Sequence, residues 1–66
     1  MFKKGQTYTH RNMLDAAIFV LHVRPWRCGI YDLRVRWVRR DGFDFGVTEW
    51  VRVVPEQLPF WRRHGV

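Results

Sequence analysis

Sixty-six residues bound this chain to one small domain, near the lower limit at which a core holds without metal or disulfide. With 47% hydrophobic and 17% aromatic residues it is no disordered tail. Twelve basic residues (ten of them arginine) against six acidic ones give a net charge of +6, which excludes an acidic nucleic-acid mimic and favours an anionic or nucleic-acid partner.

In chain order, Gln6 to His10 alternates as a short edge strand, with Tyr8 facing inward and Thr7 and Thr9 outward. Residues 11–15 break the alternation, since Asn12 and Asp15 are turn formers, and Leu14 is expected to plug one end of the core. Residues 16–39 read as a long twisted hairpin with Pro25 to Gly29 as a five-residue loop and Arg24 opposite Ile30. That register pairs Val23–Tyr31, Leu21–Leu33, Phe19–Val35 and Ala17–Trp37 on the core face. His22–Asp32, Val20–Arg34 and Ile18–Arg36 then occupy the outer face.

Arg40-Asp41-Gly42 marks the next turn. A three-residue loop with a left-handed Gly42 pairs Trp37–Phe45 and Val35–Val47, which keeps Phe43, Phe45 and Val47 inside. A strand from Phe43 to Val54 is long, so a kink or bulge is expected near Gly46 or Glu49. Val51 and Val53 are then core, while Trp50 and Arg52 point away. Pro55 to Leu58 fits one helical turn stopped by Pro59, Phe60-Trp61 caps the open end, and residues 61–66 are expected to fray. The fold class is therefore all-β: a small SH3-like, partly open antiparallel barrel over residues 1–66 with a short C-terminal helical turn. The alternative is a three-stranded sheet completed by a dimer partner.

Catalysis finds little support. The chain has no serine, and His10, His22 and His64 lack metal-ligand spacing, so no enzyme, cofactor or metal is expected. A His22–Asp32 cross-strand pair reads as structural, and the single cysteine, Cys28, as an incidental thiol in a reducing compartment. The longest apolar run, residues 16–21, is too short to span a bilayer, and no signal peptide is evident, so a cytoplasmic location without a membrane partner is expected.

Binding is the stronger expectation. Arg24, Arg34, Arg36, Trp50 and Arg52 are candidates for a nucleic-acid surface, in which arginines neutralise phosphates and a tryptophan stacks a base. The alternative is a protein interface centred on outward-facing Ile18 and Val20 with Trp26 as anchor.

Two resemblances accompany these readings. Gly5-x-x-Tyr8-x-His10-Arg11-Asn12, Val35-Arg36-Trp37, Asp44-x-Gly46 and the close from Pro55-Glu56 to Trp61 resemble a group of small single-domain bacteriophage proteins. That implies an accessory protein in the host cytoplasm, binding a host protein or homodimerising if not nucleic acid. The run Tyr31 to Trp37, with Pro55 to Leu58, is similar to chromodomains, whose aromatic side chains cage a methylated lysine. The long carboxy-terminal helix of that family is missing here.

Overall fold

The computed structural model describes residues 2–65, and within them one five-stranded antiparallel sheet carries the fold. The strands are β1 (Thr7–His10), β2 (Ala16–Pro25), β3 (Tyr31–Arg39), β4 (Asp44–Val53) and β5 (Trp61–Arg63). Their spatial order is β4-β3-β2-β1-β5, so a meander of four strands brings the last strand back beside the first. A 3-10 segment, Pro55–Phe60, joins β4 to β5. This connectivity is that of an SH3-like barrel, left open between β4 and β5.

The long axis of 33 Å is about the length of a ten-residue strand at ~3.3 Å per residue. β2 and β4 have that length, whereas β1 and β5 have four and three residues. A three-stranded ribbon therefore extends beyond a short two-stranded flank.

The core lies against one face of the sheet. Tyr8, Ile18, Val20, Leu33, Val35, Val53 and Trp61 are buried there, with Phe2 closing over them. Phe2 makes edge-to-face contacts with Tyr8 at 4.8 Å, Tyr31 at 5.9 Å and Trp61 at 6.1 Å. The Lys3 N–H donates to the Tyr8 hydroxyl at 2.7 Å, fixing the amino-terminal arm in place. Met13, Val23, Tyr31, Trp37, Val51 and Leu58 complete the layer. The inward placement of Tyr8, Val51 and Val53 agrees with the sequence reading; Leu14, 79% exposed, does not plug the core.

The β2–β3 register differs from expectation along its whole length, by two residues near the loop and by one beyond a bulge, and only the second offset changes faces. Pro25↔Tyr31, Arg24↔Asp32, Val23↔Leu33 and His22↔Arg34 pair first, and a bulge at Leu21 follows. Beyond it Val20↔Val35, Phe19↔Arg36 and Ile18↔Trp37 are opposed. The extra residue reverses the face of the remaining strand. Ile18 and Val20 are thus fully buried, and Phe19 and Leu21 are only partly covered. Leu21 does not meet Leu33.

β1 gives the cause. Tyr8 is inward and lies opposite Ile18, so Ile18 must face the core as well. At the other end Leu33 is inward and lies opposite Val23. Ile18 and Val23 differ in parity, and one strand satisfies both neighbours only with an extra residue between them. The hairpin itself closes more tightly than expected. The Trp26 N–H donates to Ile30 O at 2.7 Å, and Arg27–Gly29 forms a 3-10 turn with positive φ at Cys28 and Gly29. A Cβ on Gly29 would lie 3.2 Å from Pro55 Cγ, so this loop abuts the 3-10 segment.

The β3–β4 turn has the three-residue form. Gly42 has φ +98, its N–H donates to Arg39 O, and the Arg39 N–H donates to Phe43 O. A second irregularity follows at Phe45 and Gly46, where φ is +74, after which Trp37 lies opposite Val47 rather than Phe45. The Asp44 carboxylate accepts the Gly46 N–H at 2.7 Å and holds the bulge. Phe43, Phe45 and Val47 remain about half exposed, against the expectation that they are core. Parity places Val47 on the core side, but the core ends before reaching it.

Pro59 does not stop the 3-10 segment, which runs on through Phe60. The Gln57 side chain accepts the Val54 N–H at its start. Trp61–Arg63, expected to fray, is strand β5 paired with β1 as His10↔Trp61, Thr9↔Arg62 and Tyr8↔Arg63. Val66, at the end of the expected tail, lies outside the described residues. No described helix is long and apolar enough to cross a membrane.

Candidate nucleic-acid interface

The face opposite the core follows from the same register. Asp32, Arg34 and Arg36 alternate outward on β3, and their partners are Arg52, Trp50 and Thr48 on β4. On β2 the opposing residues are Arg24, His22 and Phe19. Arg24, Arg34, Arg36, Trp50 and Arg52 therefore share one surface. From Thr48 to Arg52 this surface extends about 13 Å along the strands.

Trp50 is its centre, with 46% of its surface exposed. The Arg24 guanidinium lies 4.4 Å from the indole centroid and that of Arg34 lies 5.9 Å away. The His22 ring meets Trp50 edge-on at 6.3 Å. Each cation is drawn to the negative ring face, which orients it without neutralising it. Arg34 also donates to Thr48 Oγ1 at 3.1 Å.

A second stack lies beside the first. The Arg52 guanidinium covers Trp26 at 4.3 Å and binds Asp32 through two hydrogen bonds, Nε to Oδ1 at 2.8 Å and Nη2 to Oδ2 at 3.2 Å. The Asp32 carboxyl is held below its ordinary range chiefly by this donation from Arg52, assisted by the charges of Arg52 and Arg24 and opposed by desolvation. Arg52 is raised in turn by the same bond. Arg24, Asp32, Trp50 and Arg52 line a shallow depression of about 400 Å³.

The charges on this face are unevenly matched. Arg36 pairs with Asp44 at 3.1 Å and Arg52 with Asp32, whereas neither Arg24 nor Arg34 belongs to an ion pair among the described residues. Two guanidinium groups without an ion pair among the described residues therefore lie beside an exposed indole.

Two placements depart from the sequence reading. The protein-interface candidates Ile18 and Val20 are interior, so no apolar centre exists on the outer face at those positions. The expected His22–Asp32 pair is absent, because His22 lies opposite Arg34 and Asp32 opposite Arg24 and Arg52. Trp26, assigned above to a protein interface, instead joins the arginine surface through Arg52. Its signal was present in the sequence: residues 22, 24 and 26 share a parity, and two of them were already placed outside.

Comparison of the chain with protein-family models, with curated proteins and with solved structures finds no match.

Proposed function

We propose that the protein is a non-catalytic binding module that takes nucleic acid on the outer face of its sheet. The observation that supports this most is the exposed Trp50 ring beside Arg24 and Arg34, two arginines free of ion pairs among the described residues. Arginine attracts phosphate, and an exposed indole stacks on an unpaired base for about 1–3 kcal/mol. Bases in a duplex already cover each other's faces, so a single strand makes better use of Trp50. The Asp32–Arg52 pair holds Arg52 over Trp26, and both members of the pair line the depression beside Trp50.

Protein binding through Ile18 and Val20 loses its physical basis, since both are inside the core. A methyl-lysine cage is poorly served too, because the guanidinium groups of Arg24 and Arg52 beside the two indoles repel a methylated ammonium.

Fluorescence anisotropy of labelled single-stranded and duplex oligonucleotides across a salt series tests the reading. Binding should weaken as salt rises, and replacing Arg24 and Arg34 together by alanine should reduce the slope of log K against log[salt] by about 1.4 on a single strand. Trp50→Ala should weaken single-strand binding about 5- to 150-fold with little change in slope. Salt-insensitive association, or none with any DNA or RNA, would overturn the proposal.

A further inference from the structure

The Trp50 site accounts for only part of the positive charge. Three ion pairs among the described residues engage three of the twelve basic side chains, leaving nine. Of these, Arg24 and Arg34 lie beside Trp50. Five others, Lys3, Lys4, Arg11, Arg62 and Arg63, flank β1 or belong to β5, and all five are exposed. Residues 2–14 and 57–65, which hold them, contain no acidic residue. β4 and β5 are the two edges of the sheet, so the larger share of the uncompensated charge sits at the flank away from Trp50. A surface of one sign attracts a polyanion over its whole extent.

The register joins the two ends. Trp50 lies opposite Arg34, Phe19 opposite Arg36, and Ala17 opposite Val38. Thr9 lies opposite Ala17, and Arg62 opposite Thr9. Positions 34, 36 and 38 share a face of β3, so Trp50, Phe19 and Arg62 all stand on the outer face of the sheet. Each is two strands and two residues beyond the one before, on a straight diagonal of about 12 Å per step. Neither bulge is crossed in passing from one to the next. Phe19 is partly exposed and Arg62 exposed. Thr7, opposite Phe19, and Thr9 add hydroxyl donors beside the line. Asp44, the carboxylate that shares this end of the outer face, is already paired with Arg36.

We propose that the single strand held at Trp50 continues diagonally over the outer face, stacks a second base on Phe19 and passes its phosphates to Arg62. This path rests on the nucleic-acid reading above and extends it from one tryptophan across the sheet. A stacked strand advances about 3.4 Å per nucleotide, so a trinucleotide at Trp50 ends well short of Arg62, whereas a decanucleotide spans the roughly 24 Å between them.

The test uses the full chain and two labelled thymidine oligonucleotides, a trinucleotide and a decanucleotide, in anisotropy titrations over a salt series. On the decanucleotide, Arg62→Ala should lower the slope of log K against log[salt] by about 0.7, the contribution of one phosphate on a single strand. On the trinucleotide it should leave the slope unchanged. Phe19→Ala should weaken decanucleotide binding at least about fivefold with little change in slope. Circular dichroism confirms that each variant is folded, and Arg62 is exposed, so its truncation leaves the core intact. Equal slopes for wild type and Arg62→Ala on the decanucleotide, with Trp50-dependent binding retained, would overturn the path and leave the Trp50 site standing. An equal loss of slope on both lengths would overturn it too, since the charge would then act at a distance, as would an unchanged affinity for Phe19→Ala. Failure of both oligonucleotides to bind would instead remove the nucleic-acid reading itself, and the path with it.

Discussion

Truncating Ile18 and Leu21 in separate variants interrogates the bulge that decides which side of β2 is the interior. Ile18 is fully buried opposite Trp37 and beside Tyr8, so Ile18→Val removes one methylene from a closed site. The cost for that change is about 0.5–1.5 kcal/mol. Leu21 lies in the bulge and is partly covered, and losing half the burial of three carbons at ~0.8 kcal/mol each costs about 1 kcal/mol. A bulge-free register gives different values. Leu21 would then be core, with Leu21→Ala costing about 2–5 kcal/mol, while Ile18→Val at an exposed site would change stability by less than ~0.5 kcal/mol. A domain of this size is stable by roughly 3–10 kcal/mol, so both variants should remain folded enough to measure. Urea titration followed by tryptophan fluorescence and circular dichroism gives both values. A Leu21→Ala loss above about 2 kcal/mol together with a silent Ile18→Val would refute the assigned register.

Gly46→Ala isolates the cost of the second bulge: φ is +74 and no heavy atom lies within 4 Å of the new Cβ, so only backbone strain is added. A loss of about 1–2 kcal/mol is expected in thermal melts, and an unchanged midpoint would remove the left-handed requirement. Leu14→Gln should leave stability within about 0.5 kcal/mol, because that side chain is 79% exposed; a large loss would show that it caps the core. The Asp32 carboxyl should titrate below its ordinary value of 3.8, and Arg52→Gln should raise it toward that value in carboxyl-detected NMR. Since the folded value is depressed, the pair favours folding above the ordinary carboxylate range and loses that contribution as pH falls through the depressed value. An ordinary midpoint in the wild type would contradict the Arg52 hydrogen bonds.

The sequence disclosed β3 better than any other strand. Tyr31, Leu33, Val35 and Trp37 alternate with Asp32, Arg34 and Arg36, so charge and apolarity give the same faces at every position. β2 offers no such contrast: residues 16–21 are all apolar, and either parity satisfies the pattern. Its amino-terminal half takes its face from β1, through Tyr8 opposite Ile18, and that information is non-local. Phe43, Phe45 and Val47 misled for another reason. Alternation predicts which side a residue takes, but the extent of the core depends on what packs over it. Here the covering layer is Phe2, Met13 and Leu58, with nothing comparable beside the β3–β4 turn. The arginine surface was legible because it rests on β3 and on the part of β4 beyond its bulge, where parity held.

The Leu21 bulge links core and outer face in one further step. Without it, β2 would follow a single parity, and the face carrying Arg24 and His22 would also carry Ile18 and Val20. The sheet would then present an apolar stripe beside its arginines and would invite a second layer to cover it. With the extra residue, the outward row of β2 becomes Phe19, His22 and Arg24, while Ile18 and Val20 strengthen the core against Val35 and Trp37. One inserted residue thus increases burial on one side and leaves Arg24 against Trp50 on the other. Deleting Leu21, by contrast, makes Val20 the neighbour of His22, as Val35 is of Arg34, so the strand becomes regular while Ile18 and Val20 stay inward and Arg24 stays beside Trp50. Stability is accordingly expected to fall by only about 1 kcal/mol, the share of Leu21's own partial burial, with the Trp50 indole proton resonance unchanged. A deletion variant that unfolds, or that shifts the Trp50 resonance, would show that Ile18 and Arg24 do not take their faces from the parity on either side of the bulge.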